Sequence, residues 1–361
     1  MPAIGPDSLV VVTGASGFLA VHCVHQLLER GHRVRATVRS TDKGDYLRQL
    51  FDKRHPGKFE YVVAEDLETP GVFDDAVRDA DGVLHTASPF HMNTEGRATE
   101  TLIKPALRGT TNVLESILKS KTVKRVVVTS SFAAILTSTK PPPQRYTEAD
   151  WNSTSVEGHE RDGDNQVPVE AYRASKTLAE RAAWDFVATH QPSWDLATIN
   201  PPFVLGPVLQ QVASAERLNT SMALIWAFTH GQKTDADLPA PSGSVVDVRD
   251  AAQAHVEALL RPQAGGERVG PAAQTWTHQD LVDALHASAV VPEAWKKQTP
   301  VGKPGSGRGL PVHELVGTKA EELLGIQYHA FAKTVDDGVR SLLDLEQRGW
   351  KGVPDEAIVY L

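Results

Sequence analysis

Tyr172 and Lys176 stand four residues apart in Tyr172-Arg173-Ala174-Ser175-Lys176, at the start of a stretch with helical spacing, so both side chains share one helix face. The pair suits delivery of a proton to an oxygen that is gaining negative charge, as when hydride adds to a carbonyl. A free phenol has a pKa near ~10, too high for easy proton exchange at neutral pH. An ammonium one turn away favours the phenolate and lowers that value, and it can also hold a ribose. The chemistry also needs a hydroxyl to orient the carbonyl oxygen. Thr129-Ser130-Ser131, at the C-terminal end of an apolar run, supplies candidates.

A hydride donor is implied nearer the N-terminus. Thr13-Gly14-Ala15-Ser16-Gly17-Phe18-Leu19-Ala20 directly follows a β-branched run and opens an amphipathic one, the context that gives a glycine motif meaning. Gly14 permits a tight turn, Gly17 lets backbone approach a pyrophosphate, and Ala20 is small enough for close helix–strand packing. The N–H groups around Ser16, Phe18 and Leu19 then face the phosphates at a helix N-terminus. An NAD site places Asp or Glu about 20 residues on, to grip the ribose 2′-hydroxyl. Here the next strand ends in Val38-Arg39-Ser40 with Lys43 beyond, and no acid stands there. A guanidinium suits a 2′-phosphate, so the expected cofactor is NADPH.

These groups need a scaffold that gathers strand ends. Leu9–Val12, Arg33–Val38, Tyr61–Ala64, Gly82–Thr86, Arg125–Ser130 and Asp195–Asn200 read as strands. Phe18–Arg30 (with Gly31 as its stop), Asp42–Arg54, Thr101–Ser120 and Ala171–His190 read as helices. Such alternation predicts an α/β fold, a doubly wound parallel sheet. Residues 138–170 read as polar loop, and the chain beyond Pro207 as mostly helical. The expected division is residues 1–205 for cofactor and catalysis and 206–361 for a smaller, mostly helical substrate region, with returns to the first part.

Composition narrows the class. The 361 residues carry a formal net charge of −8, which argues against a nucleic-acid partner. A single cysteine, Cys23, excludes an internal disulfide framework. The N-terminus lacks the order of a secretion signal, and no apolar run has transmembrane length, so the expected location is the cytoplasm, with no membrane partner. His22 and His25 share a helix face without a further ligand set at metal spacing, so no metal is expected. Asp247 and Asp250 suit a helix start, Trp184 and Phe186 a core. The Asn152-Ser153-Thr154 sequon carries no weight without secretion.

The chain resembles the extended short-chain dehydrogenases/reductases, in particular the dihydroflavonol-reductase-like branch with its fungal NADPH-dependent aldehyde, ketone and methylglyoxal reductases. The segments that carry the resemblance are TGASGFLA (13–20), RATVRS (35–40), HTASPF (85–90), VVVTSSFAA (126–134), YRASK (172–176) and NPPFVLGP (200–207). It implies a Rossmann fold, with Tyr172 as acid, Lys176 as its partner and Ser131, rather than Ser130, as the carbonyl-orienting hydroxyl. It further implies Asp66 and Leu67 beside the adenine, Thr86, Ala87 and Ser88 along the cofactor groove, and Pro201 to Val204 near the nicotinamide. Phe90, Phe132 and Phe203 follow three strand exits and are the expected apolar walls for a small apolar or amphipathic carbonyl substrate. The expected assembly is a monomer or homodimer. Two rival readings are a nucleotide-sugar epimerase or dehydratase, and a non-catalytic NADPH sensor. Arg39 and the apolar loop residues weigh against the first, the Tyr–Lys pair against the second.

Overall fold

Val10, Val11 and Val12 are fully buried, yet they belong to two different cores: Val10 and Val12 to one, Val11 to the other. Side chains alternate across a strand, so a strand apolar at every position must be covered on both faces, as parallel strands are. The same split recurs at Val127 against Val126 and Val128, and at Ala197 and Ile199 against Leu196.

The computed structural model describes residues 4–88, 94–239 and 241–353. Its elements begin β1 (Leu9–Thr13), α1 (Phe18–Glu29), β2 (Arg33–Val38), α2 (Thr41–Phe51), β3 (Phe59–Val63), β4 (Gly82–His85), α3 (Lys104–Lys119) and β5 (Arg125–Thr129). They continue with β6 (Gln144–Tyr146), α4 (Ser153–Asp162), α5 (Pro168–His190), β7 (Asp195–Ile199), β8 (Phe203–Leu205), α6 (Thr220–Thr229), β9 (Pro241–Asp247) and α7 (Val248–Leu260). The last are β10 (Arg268–Val269), β11 (Gln274–Thr277), α8 (His278–Ala287), α9 (Glu293–Lys296), β12 (His313–Leu315), α10 (Thr318–Leu324) and α11 (Phe331–Gln347).

Seven strands form one parallel sheet in the order β10-β7-β5-β4-β1-β2-β3. This is the doubly wound arrangement that the sequence predicts. Helices α1, α2 and α7 cover one face through residues such as Leu27, Leu47 and Val256; α3 and α5 cover the other through Val113, Ile117 and Phe186. The strand order reverses between β1 and β4, and such a switch point opens a crevice beyond the strand C-termini. Gly31, with φ of +81°, ends α1: its N–H bonds Leu28 O, and the His32 N–H bonds Leu27 O.

The remaining strands make a three-stranded sheet, β11-β9-β8, and a parallel pair, β12-β6. A third core lies around the three-stranded sheet, with Met222, Ile225, Trp276, Leu281 and Leu342. Residues 138–170, read from sequence as loop, hold β6 and α4. Helix α4 buries only Ser155, Val156 and Gly158, too little apolar periodicity to see in the sequence. Asn152, fully buried, caps it by accepting from the Ser155 N–H at 3.1 Å. The region after Pro207, read as mostly helical, contributes β10 to the main sheet and α7 to its cover. Asp247 caps α7 by accepting from the Arg249 N–H at 2.8 Å. Among the described residues no helix is long and apolar enough to cross a membrane.

Four buried histidines set a pH dependence. Burial holds His22, His25, His85 and His255 down, to about 3, 4, 3 and 4. Unfolded, each titrates near ~6.5. Below that pH the unfolded chain takes up protons that the fold refuses, so each histidine costs about 1.4 kcal/mol per pH unit until its folded value is reached. His329 opposes this with one proton. Its hydrogen bond to Asp250 raises it, so its contribution is complete in acid and is lost as pH rises past the raised value. Urea unfolding is expected to show stability falling steeply from about pH 6.5 to about pH 5; a flat profile there would contradict it.

Candidate active site

Three consecutive hydroxyls leave the end of β5 in three directions. Thr129 Oγ1 pairs with His255 Nε2 of α7 at 2.7 Å. The Ser130 hydroxyl donates to Glu180 Oε2 of α5 at 2.5 Å and is buried. The Ser131 side chain lies near enough to the Tyr172 phenol to pull its pKa down, and its Oγ accepts the Ala133 N–H at 3.1 Å. The two adjacent serines are thereby separated, and only Ser131 reaches the phenol.

Tyr172 lies in the second turn of α5, whose first position is Pro168. It is half-buried against Ala98, Leu102 and Ala171. One turn on, Lys176 is buried, its Nζ donating to Ser88 Oγ at 2.8 Å and standing 5.8 Å from the Tyr172 ring centroid. Burial acts on both. It pushes the Tyr172 phenol up, with the Ser131 side chain pulling the other way, and it brings Lys176 down to about 8. The direction for Tyr172 opposes the lowering assigned to Lys176 from sequence: desolvation of the phenolate is the larger influence on it and outweighs the pull of Ser131.

The glycine loop lies against the loop after β4. Gly14 has φ of +63°, and a Cβ there would stand 2.9 Å from Ala87 Cα, so only glycine fits. Thr13 Oγ1 accepts the Ala87 N–H at 3.1 Å and pairs with His85 Nδ1 at 2.8 Å, and the Thr86 hydroxyl donates to Thr13 O. Ser16 and Gly17 lead into α1. Gly17 is its N-cap, with no side-chain cap and no acid in the first turn. The leading N–H groups and positive dipole end of a 12-residue helix therefore carry no internal anion. Phe18 packs on the third core and Leu19 on the first.

Arg39 is exposed at the end of β2. Lys43 lies close enough to feel its charge, and burial together with that charge lowers Lys43. Lys43 Nζ reaches only Gln211 O, at 3.4 Å, and neither residue forms an ion pair among the described residues. Two neighbouring cations beside an uncapped helix N-terminus fit a phosphate-rich dinucleotide. Asp66 folds on itself, accepting the Glu68 N–H at 2.9 Å and the Thr69 hydroxyl at 3.3 Å. Leu67 packs on Gly109 of α3, and its carbonyl accepts from Asn112 at 2.8 Å. Pro201 O accepts the Phe132 N–H at 3.0 Å, which sets Pro201 beside Ser131, while Val204 pairs with Val246.

The expected aromatic walls fare differently. Phe90 lies outside the described residues. Phe132 is 7% exposed, within a cluster with Ile135, Tyr146, Ala272 and Leu315 and edge-on to Tyr146 at 5.8 Å. It is core, not wall, because the turn after Ser131 packs it against Tyr146 of β6 and Leu315 of β12. Phe203 lies 5.1 Å from the Trp276 ring against the third core. Trp184 and Phe186 pack in the second core. A cavity of about 860 Å³ opens between β11, α8 and residues 301–312, and its lining includes none of Ser131, Tyr172 and Lys176.

Residues that sequence reading did not single out gather behind the hydroxyls: Glu180, Asn200, Arg268 and His255. Glu180 follows Lys176 by four, the step that links Tyr172 to Lys176, and that was its visible signal. His22 Nε2 donates to Pro207 O at 2.9 Å. No group of three or more His, Cys, Asp or Glu among the described residues could hold a metal.

Residues 10–270 match the NAD dependent epimerase/dehydratase family, and the chain belongs to it. Within it, the chain is 38% identical over 344 residues to a ketoreductase of Aspergillus niger, azaE, covering 93% of this chain and 97% of that protein. It is 34% identical to the NADPH-dependent methylglyoxal reductase GRE2 of Saccharomyces cerevisiae, covering 94% and 99%. The crystal structure of yeast methylglyoxal/isovaleraldehyde reductase Gre2 complexed with NADPH superposes with a TM-score of 0.83 at 32% identity, over 94% of this chain and 99% of that one.

Proposed function

We propose that this chain reduces an aldehyde or ketone to an alcohol with NADPH, using Tyr172 as proton donor, Ser131 as carbonyl-orienting hydroxyl and Lys176 as their charged neighbour. The observation that carries the reading is the Ser131 side chain beside the Tyr172 phenol, with buried Lys176 one turn on, its Nζ held by Ser88. NADPH, when bound, supplies the hydride. The residues to hold it are Gly14, Ser16, Gly17, Phe18 and Leu19 at the α1 N-terminus, with Arg39 and Lys43 at the 2′-phosphate. Asp66, Leu67, Thr86, Ala87, Ser88, Pro201 and Val204 complete the groove. Ser131 orients the carbonyl oxygen by a hydrogen bond. Tyr172, kept neutral by burial, retains its proton until that oxygen becomes an alkoxide, then gives it up. Lys176, mostly protonated at pH 7 with a value of about 8, stabilises the phenolate left behind. The substrate is a small apolar or amphipathic carbonyl, and the protein works in the cytoplasm as a monomer or homodimer.

NADPH oxidation against aldehydes, α-dicarbonyls, β-keto esters and flavonoid ketones tests the reading. The wild type is expected to turn over members of this panel and to leave UDP-sugars unchanged. Tyr172→Phe should still bind NADPH and lose about 10²–10⁴-fold in kcat, the range of general acid catalysis. Near-normal kcat in that variant would remove Tyr172 from its role.

Cofactor choice has its own test. A charge-assisted hydrogen bond contributes about 1.5–3 kcal/mol, so Arg39→Ala should weaken NADPH binding about 10- to 150-fold. NADH binding should change little. Titrations that show equal weakening for both cofactors, or none for either, would take Arg39 out of the site.

A further inference from the structure

Behind Ser131 and Tyr172 lies a carboxylate to which the reaction gives no task. Glu180 sits one turn beyond Lys176 and two beyond Tyr172 on α5, and is 1% exposed. Its Oε2 accepts from the Ser130 hydroxyl at 2.5 Å and the Asn200 amide at 2.7 Å. Its Oε1 accepts from the Thr198 hydroxyl at 3.0 Å, Arg268 Nε at 2.6 Å and Trp184 Nε1 at 3.4 Å. One buried group thus ties α5 to the ends of β5, β7 and β10.

Three routes from it end on the segment that carries Ser131. Ser130 is its immediate neighbour. The Asn200 amide that reaches Glu180 also donates to the Ser131 carbonyl at 3.3 Å. Arg268 runs on to the carbonyls of Glu148 and Asp150 and lies over the Trp151 ring, 3.7 Å from its centroid. The next residue, Asn152, donates to the Ala133 carbonyl at 3.0 Å.

We propose that Glu180 is a positioning residue: with Arg268 and Asn200 it clamps residues 130–133 to α5 so that the Ser131 hydroxyl stays on Tyr172. The proposal rests on the reading of Tyr172 and Ser131 given above. Its competitor is that Glu180 and Arg268 are a buried ion pair serving stability alone. The two separate because removing one partner of a buried pair is strongly destabilising, whereas replacing both by apolar residues is often tolerated. An ion pair that only stabilises would let activity return with stability. A clamp would not, because Ser130 and Asn200 would have lost their acceptor.

The experiment compares Glu180→Met, Arg268→Met, the double variant and Ser130→Ala. The readouts are melting temperature, NADPH Kd, kcat and KM, and the ¹³Cζ resonance of Tyr172. The chain has six tyrosines, so Tyr172→Phe assigns that resonance by difference. The double variant is expected to melt nearer to wild type than either single variant while kcat stays about 10- to 100-fold low, the cost of a misplaced reacting group. NADPH Kd should hold, and the Tyr172 resonance should move. Ser130→Ala keeps both charges and should move the resonance and lower kcat about 2- to 10-fold, the worth of one hydrogen bond. Wild-type kcat and an unmoved resonance in Ser130→Ala, or kcat that recovers with melting temperature in the double variant, overturns the proposal. If the double variant does not fold, Ser130→Ala decides on the same readouts. An inactive wild type would overturn the reductase reading instead, and the resonance would still test the clamp.

Discussion

Lys176 and Glu180 put an ammonium and a carboxylate on the buried side of α5, one turn apart, and much of the site follows from satisfying them. A charge taken from water is costly unless other groups bond it. Glu180 draws donors from β5, β7, β10 and its own helix. Lys176 has the Ser88 hydroxyl from the loop after β4. Once both are satisfied, the rotation of α5 against the sheet is fixed, and so is the face on which Tyr172 meets Ser131.

The sheet places these groups where a dinucleotide site can also form. Strands buried on both faces need helices on both sides, and the reversal of order between β1 and β4 leaves the two loops free to approach each other. Gly14 against Ala87 is that approach, close enough to exclude a Cβ. The same crevice receives the uncapped N-terminus of α1 on one side and Lys176 on the other. Cofactor and proton donor are brought together by topology, not by proximity in sequence.

The sequence disclosed what is local. Tyr172 and Lys176 share a face because four residues make about one helical turn, and Gly14 stands between a strand and a helix; both relations survive in the fold. The step from Lys176 to Glu180 was equally readable but carried no familiar chemistry. Arg268 and Asn200 could not be read, since their partners lie on other strands and leave no periodic trace. The short strands β6 and β12 form only because residues about 170 apart pair. Phe132 shows the limit of position as a guide: next to Ser131 in sequence, it is packed away from the cleft by the turn that follows. The raised phenol of Tyr172 shows another. Spacing reveals a neighbouring charge, but not the desolvation that raises the phenol.

The most direct test of the account follows a labelled hydride. Single turnovers with NADPH deuterated at C4 of the transferring face, and a ketone that the wild type accepts, should give an alcohol with one deuterium on the carbinol carbon and a proton from solvent on its oxygen. Cofactor consumed without label in the alcohol, or label that stays on the cofactor while substrate is converted, would contradict hydride transfer to a carbonyl at this site.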